Sequence, residues 1–278
     1  MQTTETERAT TAVRSIAAGL GLAADDAVVL HNSNKLTLRL RPAEVLARVA
    51  REGQHEFGLE IDLAGRLTAA GAPVAALDPR VAPRPYARDG FVVTLWTYYP
   101  PVTAGQPSPA DYADALARLH AGLRHLDVPS PHFTDRVEHA QQLVADPDRT
   151  PELPGDQRAL LADTLDRRRR AVTGRGPAEQ LLHGEPHPGN LLGTDDGLRF
   201  VDLETCCRGP VEFDLAYPPE EVADHYPGVD RELLRDCRTL MLAMITAWRW
   251  DRDDQLPGGH QLAGEWTAQL RAALDGRV

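Results

Sequence analysis

The sequence predicts an α+β fold: an antiparallel sheet near the N-terminus, followed by a mainly helical second half. Three observations predict it. Apolar, β-branched runs at 27–30, 36–40 and 45–49 follow one another across short polar turns, as in a meander of antiparallel strands. From residue 110 onward the apolar residues recur at helical spacing instead. Between the two regimes, Pro100-Pro101 and a Gly/Pro/Ser stretch to Pro109 mark a change of domain. We therefore expect residues 1–99 and 100–278 to form two lobes.

Length and composition bound the problem. A chain of 278 residues can bury a substantial core in two lobes. Hydrophobic content of 42% and charged content of 26% describe an ordinary soluble protein. Thirty basic against 41 acidic side chains give a net charge of −11, which argues against nucleic-acid binding and is compatible with a cationic small-molecule partner. The first residues carry acids and no long apolar core, and no run approaches the ~18 apolar residues of a membrane span. Three cysteines, two of them adjacent, make a poor disulfide framework. A reduced, cytoplasmic setting without a membrane partner is expected, and a monomer or weak dimer.

Taken in order, residues 6–20 are Ala-rich, with Val13, Ile16, Ala17 and Leu20 on one helical face and glycines at the end. The three strands follow, and the turn between the first two carries Asn32, Ser33 and Asn34, which tolerate tight conformations and can offer amides to phosphates. A helix over about 55–70 has Leu59, Leu63 and Leu67 on one stripe, with Glu60 near the preceding strand. Gly71-Ala72-Pro73-Val74 ends that helix and is expected to begin a fourth strand; residues 91–99 form the fifth and longest. Helices are expected at 110–124, 134–145, 156–173, 231–250 and 261–274. The Arg167–Arg170 run wraps around its helix and reads as a solvated face. His120 reads as a core or helix-face histidine. Acids around Trp248 and Trp250 form either a solvated loop or a pocket for an amine-rich ligand.

The chemistry is concentrated in LLHGEPHPGNLLGTDDGLRFVD, residues 181–202. Gly184, Pro186, Pro188 and Gly189 exclude a regular helix, so this segment opens as a loop. Asn190-Leu191-Leu192 and Leu198-Arg199-Phe200-Val201 read as strands joined by a turn ending in Asp196-Gly197, a strong hairpin signal. Asn190 and Asp202 would stand at the open end of that hairpin. A loop carboxylate such as Glu185 can accept a hydroxyl proton, and an amide oxygen with a second carboxylate suits magnesium. Those are parts of a phosphoryl-transfer site, where the protein supplies mainly positioning and charge.

With His183-Gly184-Glu185-Pro186-His187-Pro188-Gly189-Asn190, then Val201-Asp202, Arg208-Gly209-Pro210 and Phe213-Asp214-Leu215-Ala216, the sequence resembles the aminoglycoside phosphotransferase family. These are antibiotic and small-molecule kinases with a two-lobed, protein-kinase-like fold. Asn190 lies five positions after Glu185 and Asp202 twelve positions after Asn190, both as in the family. The resemblance implies transfer of the γ-phosphate of ATP or GTP, with Mg2+, to a hydroxyl of a small molecule, foremost an antibiotic such as an aminoglycoside or a cationic peptide. It implies that Glu185 is the base and that Asn190 and Asp202 hold the metal. It makes residues 1–99 a nucleotide-binding lobe, with Arg48 on the α- and β-phosphates, Glu60 as its partner, and Ser33 and Asn34 in a hairpin covering the nucleotide. Backbone near Leu95 and Thr97 would meet the base at a hinge. It also implies that His183 props the loop and Asp214 braces the loop backbone. Two departures stand out: Glu185 where the family usually has Asp, and Arg48 where kinase-like proteins usually have Lys.

Other readings of these residues remain open. A nucleotide-binding pseudokinase without turnover would share the fold. His183, Glu185 and His187 alternate as in a metal-dependent hydrolase or oxygenase, although the helix-borne H-E-x-x-H spacing is absent. A zinc deaminase would need a later P-C-x-x-C, and Cys206-Cys207 do not supply it. The P-loop signature is also missing. Macrolides and metabolic alcohols stand beside the amine-rich antibiotics as acceptors.

Overall fold

The computed structural model describes residues 1, 3–32, 35–53, 57–100, 102 and 106–276. In chain order the elements are α1 (Thr3–Gly19), β1 (Ala24–Asn32), β2 (Leu36–Pro42), β3 (Val45–Arg51), α2 (Phe57–Ala69), β4 (Tyr86–Arg88) and β5 (Phe91–Thr97). They continue with α3 (Pro109–Arg124), α4 (Phe133–Ala145), α5 (Gly155–Gly174), β6 (Gln180–Leu182), β7 (Leu191–Thr194), β8 (Gly197–Phe200) and β9 (Cys207–Gly209). Short α6 (Val211–Asp214) and α7 (Val222–His225) precede the long α8 (Arg231–Trp248) and α9 (Gly259–Leu274). No helix among the described residues is long and apolar enough to cross a membrane.

Two compact units result: 1–107 with 190–204, and 108–189 with 205–278. The first departs from a simple division at residue 99. The β7–β8 hairpin joins the first unit because Phe200 bridges Val74, the Ala75 N–H donates to the Phe200 carbonyl at 2.9 Å, and the Arg199 guanidinium lies 5.0 Å from the Tyr99 ring.

In the first unit, five strands among the described residues are ordered β1-β2-β3-β5-β4, antiparallel throughout. The alternation read in β2 fixes the faces: Leu36, Leu38 and Leu40 are buried, and Thr37 and Arg39 between them are not. Those leucines, with Val45, Ala47 and Val49 of β3, pack against Ala9, Ala12, Val13, Ile16 and Ala17 of α1. Each buried leucine contributes roughly 1.5–3 kcal/mol over an exposed one. Phe57 and Ile61 of α2 pack with Ala50, Leu77 and Val92 in a second cluster.

The fourth strand lies elsewhere than expected. Val74 makes only an isolated parallel bridge to Phe200, and β4 is Tyr86–Arg88, embedded in a Pro/Arg-rich segment too short to show alternation. The β5 ladder ends at Thr97, two residues early, and Asn190 sits in a 3-10 turn before β7 rather than in the strand.

The second unit is helical. Apolar faces of α4, α5, α8 and α9 share one core that includes Phe133, Val137, Leu161, Leu165, Leu240, Met244 and Leu270. Ser108 caps α3, its Oγ accepting from the Asp111 N–H at 3.1 Å, and Asp230 caps α8 at 3.0 Å to two N–H groups. The small β6–β9 ladder, which pairs Leu182 with Cys207, was not legible in sequence and stands on either side of the Glu185 loop in chain order. Helix α8 ends at Trp248, two residues before the expected end.

Candidate active site

Within the first unit, the lead-in to β2, together with β3, α2 and the end of the hairpin, brings five charged side chains together. The hairpin closes as expected: Leu191 pairs with Phe200, and the Val201 N–H donates to the Asn190 carbonyl at 3.0 Å. Asn190 and Asp202 therefore flank its open end. Asp202 has a left-handed backbone, φ 67°, which costs an aspartate about 1 kcal/mol. Its Oδ1 accepts from Arg48 Nη2 at 2.6 Å and from Lys35 Nζ at 3.4 Å. The other Arg48 amino group is ion-paired to Glu60, which is 1% exposed. Lys35 is also ion-paired to Glu204, and its Nζ lies 4.0 Å from Glu60 Oε2.

The electrostatics follow from burial. Burial works against the Arg48 charge, but Glu60 and Asp202 outweigh it and raise its pKa. For Asp202, burial pushes the carboxyl up, yet Arg48 and Lys35 hold it below the usual carboxylate range. Glu60 goes the other way: deeper burial outweighs Arg48 and Lys35, and its pKa is raised.

The second unit builds the Glu185 loop by a different device. Asp214, fully buried, accepts the N–H groups of His183 and Gly184, both at 2.8 Å. Its Oδ2 also meets His120 Nε2 at 2.9 Å, and His120 Nδ1 meets the Tyr226 hydroxyl at 2.7 Å. Gly184 has φ 90°, and a Cβ there would fall 2.0 Å from the Thr205 carbonyl oxygen, so only glycine fits. The Thr205 hydroxyl donates to the His183 carbonyl at 3.1 Å and the Tyr112 hydroxyl to the Pro186 carbonyl at 2.5 Å. Arg136 of α4 donates to the Gly184 carbonyl at 2.8 Å, is ion-paired to Glu185, and stacks over Trp248 with its Cζ 5.2 Å from the ring. Thus the longer Glu185 side chain is held by a half-buried guanidinium.

The remaining expected residues fall out as follows. His183, fully buried, accepts the Glu185 N–H on Nδ1 at 3.3 Å, and His187 accepts the Gly189 N–H at 3.0 Å. Both serve loop backbone, and among the described residues no three His, Cys, Asp or Glu could hold a metal ion together. The Leu95 carbonyl accepts from the Asp78 N–H at 3.1 Å and the Thr97 N–H donates to Ala76 at 2.9 Å, so these atoms fix the course of the hinge strand. Ser33 and Asn34 lie outside the described residues. Burial pushes the Cys207 thiol up to about 12, and it packs as a small hydrophobe. The acids near Trp250 line a pocket of about 360 Å³, where Asp251 is charge-compensated by Arg149 and Asp254 by Arg249, and Glu152 lies 3.2 Å from His260 Nδ1.

Sequence reasoning missed Lys35, Arg136, Tyr112 and Tyr226. Only Lys35 left a signal: it is the sole lysine among thirty basic residues, placed directly after Asn32-Ser33-Asn34 in the sequence. Arg136 is one arginine of many on an ordinary helix.

An antiparallel sheet with a helix glutamate tied to a β3 cation, and an acid-bearing loop pinned by a buried aspartate in a helical unit, make this a protein-kinase-like fold. The chain belongs to the phosphotransferase enzyme family (APH), whose model matches residues 22–218. Among solved structures it is similar to an amicoumacin kinase in complex with AMP-PNP and Ca2+, at 12% identity over 97% of this chain and 96% of that one, TM-score 0.72. A microcompartment-associated aminopropanol kinase matches at 17% identity over 95% and 98%, TM-score 0.71. A choline/ethanolamine kinase family protein from Mesorhizobium loti matches at 17% over 97% and 95%, TM-score 0.70. No curated protein sequence matches the chain.

Proposed function

We propose that this protein is a small-molecule kinase that transfers the γ-phosphate of ATP or GTP to a hydroxyl of an amine-bearing acceptor, antibiotics first. The observation that carries the reading is the charged relay Glu60–Arg48–Asp202, which joins α2, β3 and the hairpin end in one ion-paired set. Glu185 takes the acceptor proton as the new P–O bond forms, and the bond from the γ-phosphorus to the β-phosphate oxygen breaks, releasing the nucleoside diphosphate. Arg48, set by Glu60, faces the α- and β-phosphates, and the hinge strand at Leu95 and Thr97 frames the base. Ser33 and Asn34, outside the described residues, are assigned by the family resemblance to covering the phosphates.

Asn190 and Asp202 offer hard oxygens, a donor set that suits Mg2+, which commonly takes one or two carboxylates and completes its shell with substrate phosphates and water. When bound there, the cation would neutralise phosphate charge. The nearby Arg48 and Lys35 keep Asp202 ionised, ready for such a ligand.

Support for an amine-bearing acceptor comes from the net charge of −11, from the kinases named among similar structures for choline or ethanolamine, aminopropanol and amicoumacin, and from another similar structure that is a GDP and kanamycin complex. If the acceptor is an antibiotic, the protein confers resistance. The test is a panel of aminoglycosides, cationic peptide antibiotics, macrolides and small amino alcohols, incubated with ATP or GTP and Mg2+ and scored by mass spectrometry for one added phosphoryl group. One acceptor should be modified, and Glu185→Gln and Asp202→Asn should abolish its modification; full activity in either variant overturns the assigned roles.

A further inference from the structure

Lys35 is the chain's only lysine; every other basic side chain is arginine. It stands one residue before β2, its side chain is 6% exposed, and it faces Glu204, Asp202 and Glu60. A buried ammonium is costly unless it is well paired, and a guanidinium would supply more donors to three carboxylates. What distinguishes lysine is a compact charge on a flexible stem that can change partners.

The neighbouring arginine cannot do this. Arg48 spends one amino group on Glu60 and the other on Asp202, so its planar fork is fixed at both ends. Glu60 meanwhile keeps an unused acceptor: Oε2 is buried and has no hydrogen-bond partner. A carboxylate oxygen left in that state keeps its desolvation penalty without a compensating hydrogen bond. Lys35 Nζ is the cation next to it, 4.0 Å away, short of a hydrogen bond but reachable by rotation of the side chain.

We infer that Lys35 is a movable phosphate-binding residue of the nucleotide site: its ammonium leaves Asp202 and Glu204, settles against Glu60 Oε2, and donates to the nucleotide phosphates, while Arg48 stays as a fixed strut. The inference rests on the nucleotide-dependent reading above and assigns the contact with phosphate to the residue that leads into β2 rather than to β3 alone. Asp202 is then released from one of its two cations as the nucleotide enters.

A single lysine makes the test direct. An acyl phosphate of ATP transfers its acyl group to an amine lying against the terminal phosphate; the amine gains an amide and ATP is the leaving group. With the unaltered full chain, mass spectrometry should find Lys35 acylated, with labelling suppressed by excess ATP, while the N-terminal amine reacts independently of ATP. Calorimetric titration with ATP and with GTP, each in Mg2+ and in EDTA, should give at least tenfold weaker binding for Lys35→Met, and Lys35→Arg should not restore it. Nucleotide binding by the unaltered protein without acylation of Lys35, or a Lys35→Met Kd within twofold of the unaltered one, overturns the role of Lys35 and leaves the kinase reading standing. If the unaltered protein binds neither nucleotide in Mg2+, the kinase reading itself falls and this inference with it. The labelling arm needs no variant, so a poorly folding Lys35→Met does not stall the decision.

Discussion

The surroundings of Asp202 and Glu185 differ in what holds them. Asp202 is held by side chains, Arg48 and Lys35, on a hairpin end with a left-handed backbone. The Glu185 loop is held mainly through its backbone: Asp214 takes two consecutive N–H groups, Thr205 and Tyr112 take carbonyls, and Arg136 takes one more together with the carboxylate. In the kinase reading proposed above, ion pairs between side chains would be exchanged for phosphate and a metal as they come and go. A network on the main chain instead fixes the course of the loop, and in the same reading it would fix where a proton is accepted. Exchangeable charge and rigid geometry are thus kept in different units of one chain.

Several changes would break or sharpen that contrast. The largest effect is expected from Glu185→Gln, which keeps shape but cannot take a proton: kcat should fall by about 10²–10⁴ with nucleotide affinity nearly unchanged, measured by steady-state kinetics and titration. Asp214→Ala should come next, since it strands two buried N–H groups and His120; equilibrium urea unfolding should record a loss of about 3–5 kcal/mol. Unchanged stability there would refute a loop held by its backbone. Gly184→Ala sets a Cβ against the Thr205 carbonyl at positive φ, and a loss of about 3 kcal/mol with a lower kcat is expected in the same assays.

The smallest effect concerns pH. The Asp202 carboxyl is held below its ordinary value in the folded protein, so it contributes stability that is fully present above about pH 4 and is lost as pH falls through the depressed folded value. Glu60, raised by burial, acts with the opposite sign: it favours the folded state while protonated, and that contribution is lost as pH rises through its raised folded value. A series of urea unfolding curves from pH 3 to 7 should therefore show a shallower acid decline for Asp202→Asn than for the parent. An identical decline in both proteins would mean that Arg48 and Lys35 do not favour the Asp202 carboxylate.

Much of this was legible beforehand because it depends on local pattern. Alternation in 36–40 fixed which face of β2 is buried, Asp196-Gly197 closed the hairpin, and proline and glycine kept 184–189 out of a helix. The Arg48–Glu60 pair was legible only through the family resemblance. What escaped depends on long-range meetings. Arg136 reaches Glu185 from a helix 49 residues earlier, and Tyr226 joins His120 across 106 residues, distances at which no periodicity speaks. Strand β4 escaped for a different reason, since three residues between prolines and a turn are too few to alternate.

The hairpin at 190–204 also governs how the chain can be cut and recombined. The first unit is discontinuous: a fragment ending at Pro107 would lack Phe200, the bridge partner of Val74 and the acceptor for Ala75, together with the carboxylates of Asp202 and Glu204 that neutralise Lys35. A chimera that grafts this sheet onto another helical unit must therefore carry two segments of sequence rather than one.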